Sequence, residues 1–84
     1  MKEVIIRPVT SEKAVRLMEG QNIITLIVNS KSNKQKIKKA VQELFKVKVL
    51  KVNTLHSTKN EKKAYVKLSD DDNALDIGAD LGMI

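Results

Sequence analysis

The sequence predicts a small α+β domain in the order β-α-β-α-β-β, giving a mainly antiparallel sheet with packed helices and a short C-terminal helix. Three observations carry this reading. Between Lys34 and Phe45 the apolar residues Ile37, Ala40, Val41, Leu44 and Phe45 recur at helical spacing. From Asn22 to Val28 and from Lys62 to Leu68 the side chains alternate with the period of a strand. The chain has 84 residues. Two cores would each approach the roughly 40-residue floor for unaided folding, so residues 1–84 are expected to form one domain.

Val4 to Ile6 is a short β-branched run that Pro8 stops, because proline lacks an N–H and holds Arg7 extended; its place is a sheet edge. Thr10 or Ser11 then caps a helix over Glu12 to Glu19, with Ala14, Leu17 and Met18 on one face and Gly20 as its stop. Asn22 to Val28 turns Ile24, Leu26 and Val28 one way and Ile23, Thr25 and Ile27 the other, so both faces need some cover. Asn33 is a suitable N-cap for the helix from Lys34 to Phe45, which lays its apolar stripe on the sheet and leaves Lys34, Lys36, Lys38 and Lys39 facing outward. A crossover of this kind bridges two parallel strands. Val47 to Leu55 reads as a strand whose alternation changes phase near Val49 and Leu50, where a bulge or change of face fits. After the turn-like His56 to Glu61, Lys62 to Leu68 sets Ala64, Val66 and Leu68 opposite Lys63, Tyr65 and Lys67 and completes a hairpin. Asp70 to Asn73 supplies a cap and an acidic first turn for a last helix through Ala74, Ile77 and Leu81, ending near Gly82.

The charges are segregated. The net charge is +6, but the segment from Asp70 onward holds five Asp and no base, so Met1 to Ser69 carries sixteen basic and five acidic residues. Lys31 to Lys51 alone has eight Lys and one Glu. Such a field points to a polyanion, and Lys51, Lys59, Lys62, Lys63 and Lys67 extend it beyond the helix. Fourteen of the sixteen cations are Lys, which meet phosphate as point charges, so backbone or shape recognition is favoured over reading of guanine edges. Tyr65, among lysines, is placed to stack on or hydrogen-bond to RNA, and Asn53 and Thr54 suit phosphate and 2′-hydroxyl contacts. The alternatives are a solvated helix face, a packed tyrosine and ordinary strand-end chemistry.

Catalytic chemistry finds little to work with. His56 is the sole histidine, Gly20, Gly78 and Gly82 are too scattered for a phosphate-cradling loop, and there is no Cys. Asp70, Asp71 and Asp72 lack the ligand spacing of a calcium loop and read as helix capping. A basic hydrolase of the acylphosphatase kind has only Arg7 and Arg16 to draw on. No enzyme activity, cofactor or metal is expected. The longest stretch without charge, Gly20 to Ser30, is eleven residues against about 20 for a membrane span, so a cytoplasmic protein without membrane insertion is expected.

Four segments carry a family resemblance. Arg-Pro-Val-Thr-Ser-Glu-Lys-Ala from Arg7, the run from Asn33 to Val49, Val-Asn-Thr-Leu from Val52 and Lys-Lys-Ala-Tyr-Val-Lys-Leu from Lys62 closely resemble, in order and spacing, the L-twenty-three family of large-subunit ribosomal proteins. The resemblance implies a structural constituent of the large ribosomal subunit that binds the third domain of its rRNA at the rim of the nascent-peptide exit tunnel. It also implies a docking surface for factors such as the signal recognition particle, with Glu12 as the matching carboxylate. By motif, Lys34, Lys38, Asn53, Thr54, Lys62, Lys63 and Tyr65 are candidates for the RNA face, with Lys13 beside them. Neighbouring ribosomal proteins are implied partners, and no obligate homo-oligomer is expected. Bacterial members carry a long basic extension between the last two strands, where this chain has only His56 to Glu61, so a deep tunnel-lining role is not expected. The early Arg7-Pro8 motif and the tail from Asn73 to Gly82 look like an archaeal-type member. A free-standing basic nucleic-acid-binding protein is the alternative.

Overall fold

The computed structural model describes residues 4–57 and 61–82. Its elements are β1 (Ile5–Pro8), α1 (Glu12–Gln21), β2 (Ile23–Val28), α2 (Lys34–Phe45), β3 (Val49–His56), β4 (Lys62–Leu68) and α3 (Ala74–Asp80). The sheet order is β1-β2-β4-β3 and each neighbouring pair is antiparallel. β2 and β3 therefore run parallel with β4 between them, and α2 makes the predicted crossover over the gap that β4 fills.

One face of the sheet holds the main core. Ile24, Leu26 and Val28 of β2, Ala64, Val66 and Leu68 of β4, and Val49 and Val52 of β3 meet Ile37 and Val41 of α2, Met18 of α1, and Ala74 and Ile77 of α3. Asn33 caps α2 by accepting from the Lys36 N–H at 2.8 Å. Ser11, rather than Thr10, caps α1 through the Ala14 N–H. The register shift between Val49 and Lys51 leaves Leu50 unpaired, which is the predicted change of phase. The strand itself starts at Val49 rather than Val47 and runs through His56.

Three local expectations need correction. β1 continues through Pro8, which pairs with Leu26; at a sheet edge the missing N–H faces away from the ladder and costs no bond. Gly20 does not stop α1. The helix runs on to Gln21 and ends at Asn22, whose left-handed backbone (φ 58°) lets its N–H reach the Leu17 carbonyl. Leu44 leaves the core stripe and is 47% exposed, because Ile37, Ala40 and Val41 already fill the contact with the sheet and only Phe45 follows them inward. The expected role of Lys59 in the basic surface lies outside the described residues.

Asn22 also ties the α3 region to the sheet. Its side-chain N–H donates to the carbonyls of Ser69 (3.1 Å) and Asp72 (2.8 Å), and its oxygen accepts from the Ala74 N–H at 2.8 Å. The acidic run has local partners as well, since Asp72 accepts from the Lys48 N–H and Asn73 from the Leu75 N–H.

Candidate functional site

The other face of the sheet carries three cross-strand rows. Strand alternation turns every second residue of β4 away from the core, and directly opposed residues share a face. The rows are Lys51, Lys67 and Ile23; Asn53, Tyr65 and Thr25; and Leu55, Lys63 and Ile27, with Arg7 of β1 beyond Ile27. Lys51, Asn53 and Leu55 of the edge strand are exposed, whereas Thr25 and Ile27 are buried. The face is thus open and cationic over β3 and β4 and closed over β2.

α1 produces the closure. It lies against β2, with Val15 and Met18 packed into the main core. Ser11, Lys13, Ala14 and Leu17 border a concavity of about 70 Å³ on the opposite face, shared with Thr25, Lys63 and Tyr65. Lys13, Asn53, Lys63 and Tyr65, four of the candidates, are thereby brought to one surface.

The remaining candidates separate from that group. Lys62 and Thr54 alternate onto the core face, and the Lys62 ammonium donates to the Ser32 carbonyl at 2.6 Å. Lys34 and Lys38 are exposed on α2, which packs on the core face, so they stand across the sheet from Tyr65. The candidates thus divide between the two faces of the sheet, with Lys34, Lys38, Thr54 and Lys62 on the α2 side and Lys13, Asn53, Lys63 and Tyr65 on the other. Lys67 is also committed, donating to the Gln21 carbonyl at the end of α1 at 2.9 Å. Of the three β4 lysines only Lys63 has an ammonium without a hydrogen bond or ion pair among the described residues.

Glu12 is exposed in the first turn of α1 and pairs with Arg16 at 2.7 Å. It precedes Lys13 in that turn. Arg7 pairs with Glu61 at 2.7 Å. His56 is exposed at the end of β3, opposite Lys62. Thr25 and Ser11 also line the concavity beside α1, and a threonine in a β-branched run and a serine before a helix both have sufficient structural explanations.

The fold and this face define a class: a small α+β domain with a cation-bearing sheet surface and, among the described residues, no cluster of carboxylates, histidines or cysteines able to hold a metal ion. The family model described as Ribosomal protein L23 matches residues 3–76. The chain is 51% identical over 82 residues to the "Large ribosomal subunit protein uL23" of Saccharomyces cerevisiae (strain ATCC 204508 / S288c), covering 98% of this chain and 58% of the yeast protein. The chain belongs to the ribosomal protein L23 family. It spans little more than half the length of that yeast relative. A family of ribosomal proteins, rather than of enzymes, displaces the acylphosphatase alternative. Among the described residues no helix is long and apolar enough to cross a membrane.

Proposed function

We propose that residues 1–84 act as a single ribosomal-protein domain, a non-catalytic structural constituent of the large subunit in the cytoplasmic ribosome, bound to rRNA and to neighbouring ribosomal proteins. The observation that carries this reading is the family match through residues 3–76, joined to 51% identity with a large-subunit protein. The chemistry is consistent with it. Lys51 is exposed on this face and has no hydrogen bond or ion pair among the described residues. Lys13, Asn53, Lys63 and Tyr65 add cations, an amide and an aromatic hydroxyl to that face, the inventory of phosphate and ribose recognition.

In the finer reading, this face meets the third domain of large-subunit rRNA near the exit tunnel, and Lys34 and Lys38 take a second RNA segment across the sheet. The short connection between β3 and β4, residues 57–61, favours the tunnel rim over its interior. Glu12 belongs to a docking surface for factors that meet the nascent chain, including the signal recognition particle. The test is residence: tagged protein should sediment with large subunits through a high-salt wash. Release of all the protein into the free pool would instead identify a free-standing nucleic-acid binder. For the docking surface, Glu12→Lys should lower factor capture by intact ribosomes without displacing the protein, and unchanged capture removes Glu12 from that role.

A further inference from the structure

The two edges of the sheet are finished differently. β1, at one edge, has four residues, carries Pro8 and shifts register between Ile5 and Arg7, all of which keep a further strand from pairing. β3, at the other, has eight residues and no proline, and from Lys51 to His56 its register with β4 is unbroken. Leu50 and Leu55 are each 54% exposed on it, so this edge is apolar as well as long. Sheets seldom leave such an edge bare without a use for it.

Backbone parity fixes which groups face outward. The Ser57 N–H donates to the Glu61 carbonyl at 2.8 Å, just beyond the last paired residues of β3 and β4. Bonded residues alternate along an antiparallel ladder, so Leu55, Asn53 and Lys51 turn their N–H and C=O groups to β4, and His56, Thr54 and Val52 turn theirs away from it. No strand lies beyond β3, and these outward groups have no hydrogen-bond partner among the described residues. Val52 is a core residue, whereas Thr54 is half-buried and His56 exposed, so the accessible stretch centres on Thr54 and His56. An alternating row of donors and acceptors is matched by another extended backbone. It is not matched by RNA phosphates, which accept from N–H groups but have nothing to donate to the carbonyls between them.

We propose that the free edge of β3 is a docking site for an extended, acidic segment of a neighbouring ribosomal protein, which adds an antiparallel strand to the sheet. The inference goes beyond RNA binding and rests on the large-subunit reading only for the source of that segment. Strand addition draws affinity from main-chain bonds and specificity from side chains at alternate positions. Residues of the added strand opposite Leu55, Asn53 and Lys51 share their face, so the pattern recognised, in the direction of the added chain, is an apolar residue, a neutral polar residue and a carboxylate at every second position. The carboxylate meets the Lys51 ammonium, which has no hydrogen bond or ion pair among the described residues. A net charge of +6 favours such a partner over a second copy of this chain.

The experiment follows amide hydrogen exchange of the full chain by NMR while the peptide Thr-Val-Thr-Thr-Thr-Glu-Thr is added to millimolar concentration. Binding should slow exchange at Thr54 and His56, whose amides point outward, and leave Asn53 and Leu55, already bonded to β4, unchanged. The same peptide N-methylated at its third residue, the one opposite Thr54, should not bind. Thr54→Pro removes an N–H that β4 does not use, as Pro8 does in β1, so melting curves should show a folded protein while affinity falls about tenfold. Lys51→Glu should weaken binding about fivefold and transfer the preference to a peptide with Lys in place of Glu. Unchanged exchange at Thr54 and His56 overturns the edge as a docking site and leaves the RNA-binding face standing. Protection that grows with protein concentration alone assigns the edge to a second copy, and protection by an rRNA transcript but not by the peptide assigns it to RNA; either result overturns the proposal. In purified large subunits, a photocrosslinking benzoylphenylalanine in place of His56 should join a protein segment bearing the alternating pattern, and a crosslink to RNA alone overturns it. Absence of the protein from large subunits removes the ribosomal source of the segment, whatever the peptide does.

Discussion

Asn22 shows how much one side chain contributes when backbone and amide act together. Its αL backbone ends α1 while its amide bridges to the carbonyls before α3 and to the Ala74 N–H. Asn22→Ala loses both functions and should destabilise the protein by about 2–4 kcal/mol in urea unfolding. Asn22→Gly restores only the backbone share, about 1 kcal/mol; equal stability of Gly and Asn would show that the amide bridge contributes nothing. Thr25 is the opposite case. Its buried hydroxyl has no partner, so Thr25→Val should raise stability by about 1 kcal/mol, measured in the same assay.

Elements respond to substitution according to what they bury. Ile37→Ala opens the centre of the contact between α2 and the sheet and should cost about 2–5 kcal/mol, whereas Leu44→Lys, on the exposed side, should change stability by no more than about 0.5 kcal/mol. Gly20 lies inside α1, and a Cβ added there meets nothing within 4 Å, so Gly20→Ala should stabilise by about 0.5–1 kcal/mol in thermal or urea unfolding. These contrasts mark what the sequence makes legible. The limits of α2 and β4, the Asn33 cap and the bulge at Leu50 follow from local periodicity and side-chain chemistry, which act over a few residues. Leu44 and Gly20 read differently because periodicity says that a face is apolar without saying how wide the receiving surface is, and because glycine permits a stop without imposing one. The site was legible only in part for the same reason. Alternation separates Lys63 from Lys62, but only the sheet order shows that α2 and Tyr65 stand on opposite sides and that Ser32 and Gln21 take up two of the lysines.

At the scale of the whole molecule, the sheet divides the basic charge into two surfaces, one on α2 and one around Tyr65, while the acidic residues from Asp70 onward cluster around α3. A large RNA that folds around both sides of so small a domain engages both surfaces, whereas a single duplex engages one. Reversing charge at Lys34 and Lys38 and, separately, neutralising Lys13 and Lys63 should therefore each weaken binding to the folded rRNA domain, with nearly independent effects because the two sets do not touch. Complete loss from either pair alone would show that only one surface binds. The most direct test of the central claim is the affinity of the wild-type protein for a transcript of the third domain of large-subunit rRNA against unrelated structured RNA, titrated through about 50 to 300 mM salt, a range over which simple phosphate neutralisation fades. A preference for the rRNA domain that persists at the upper end is the predicted result; equal binding to both RNAs, erased together as salt rises, would contradict it.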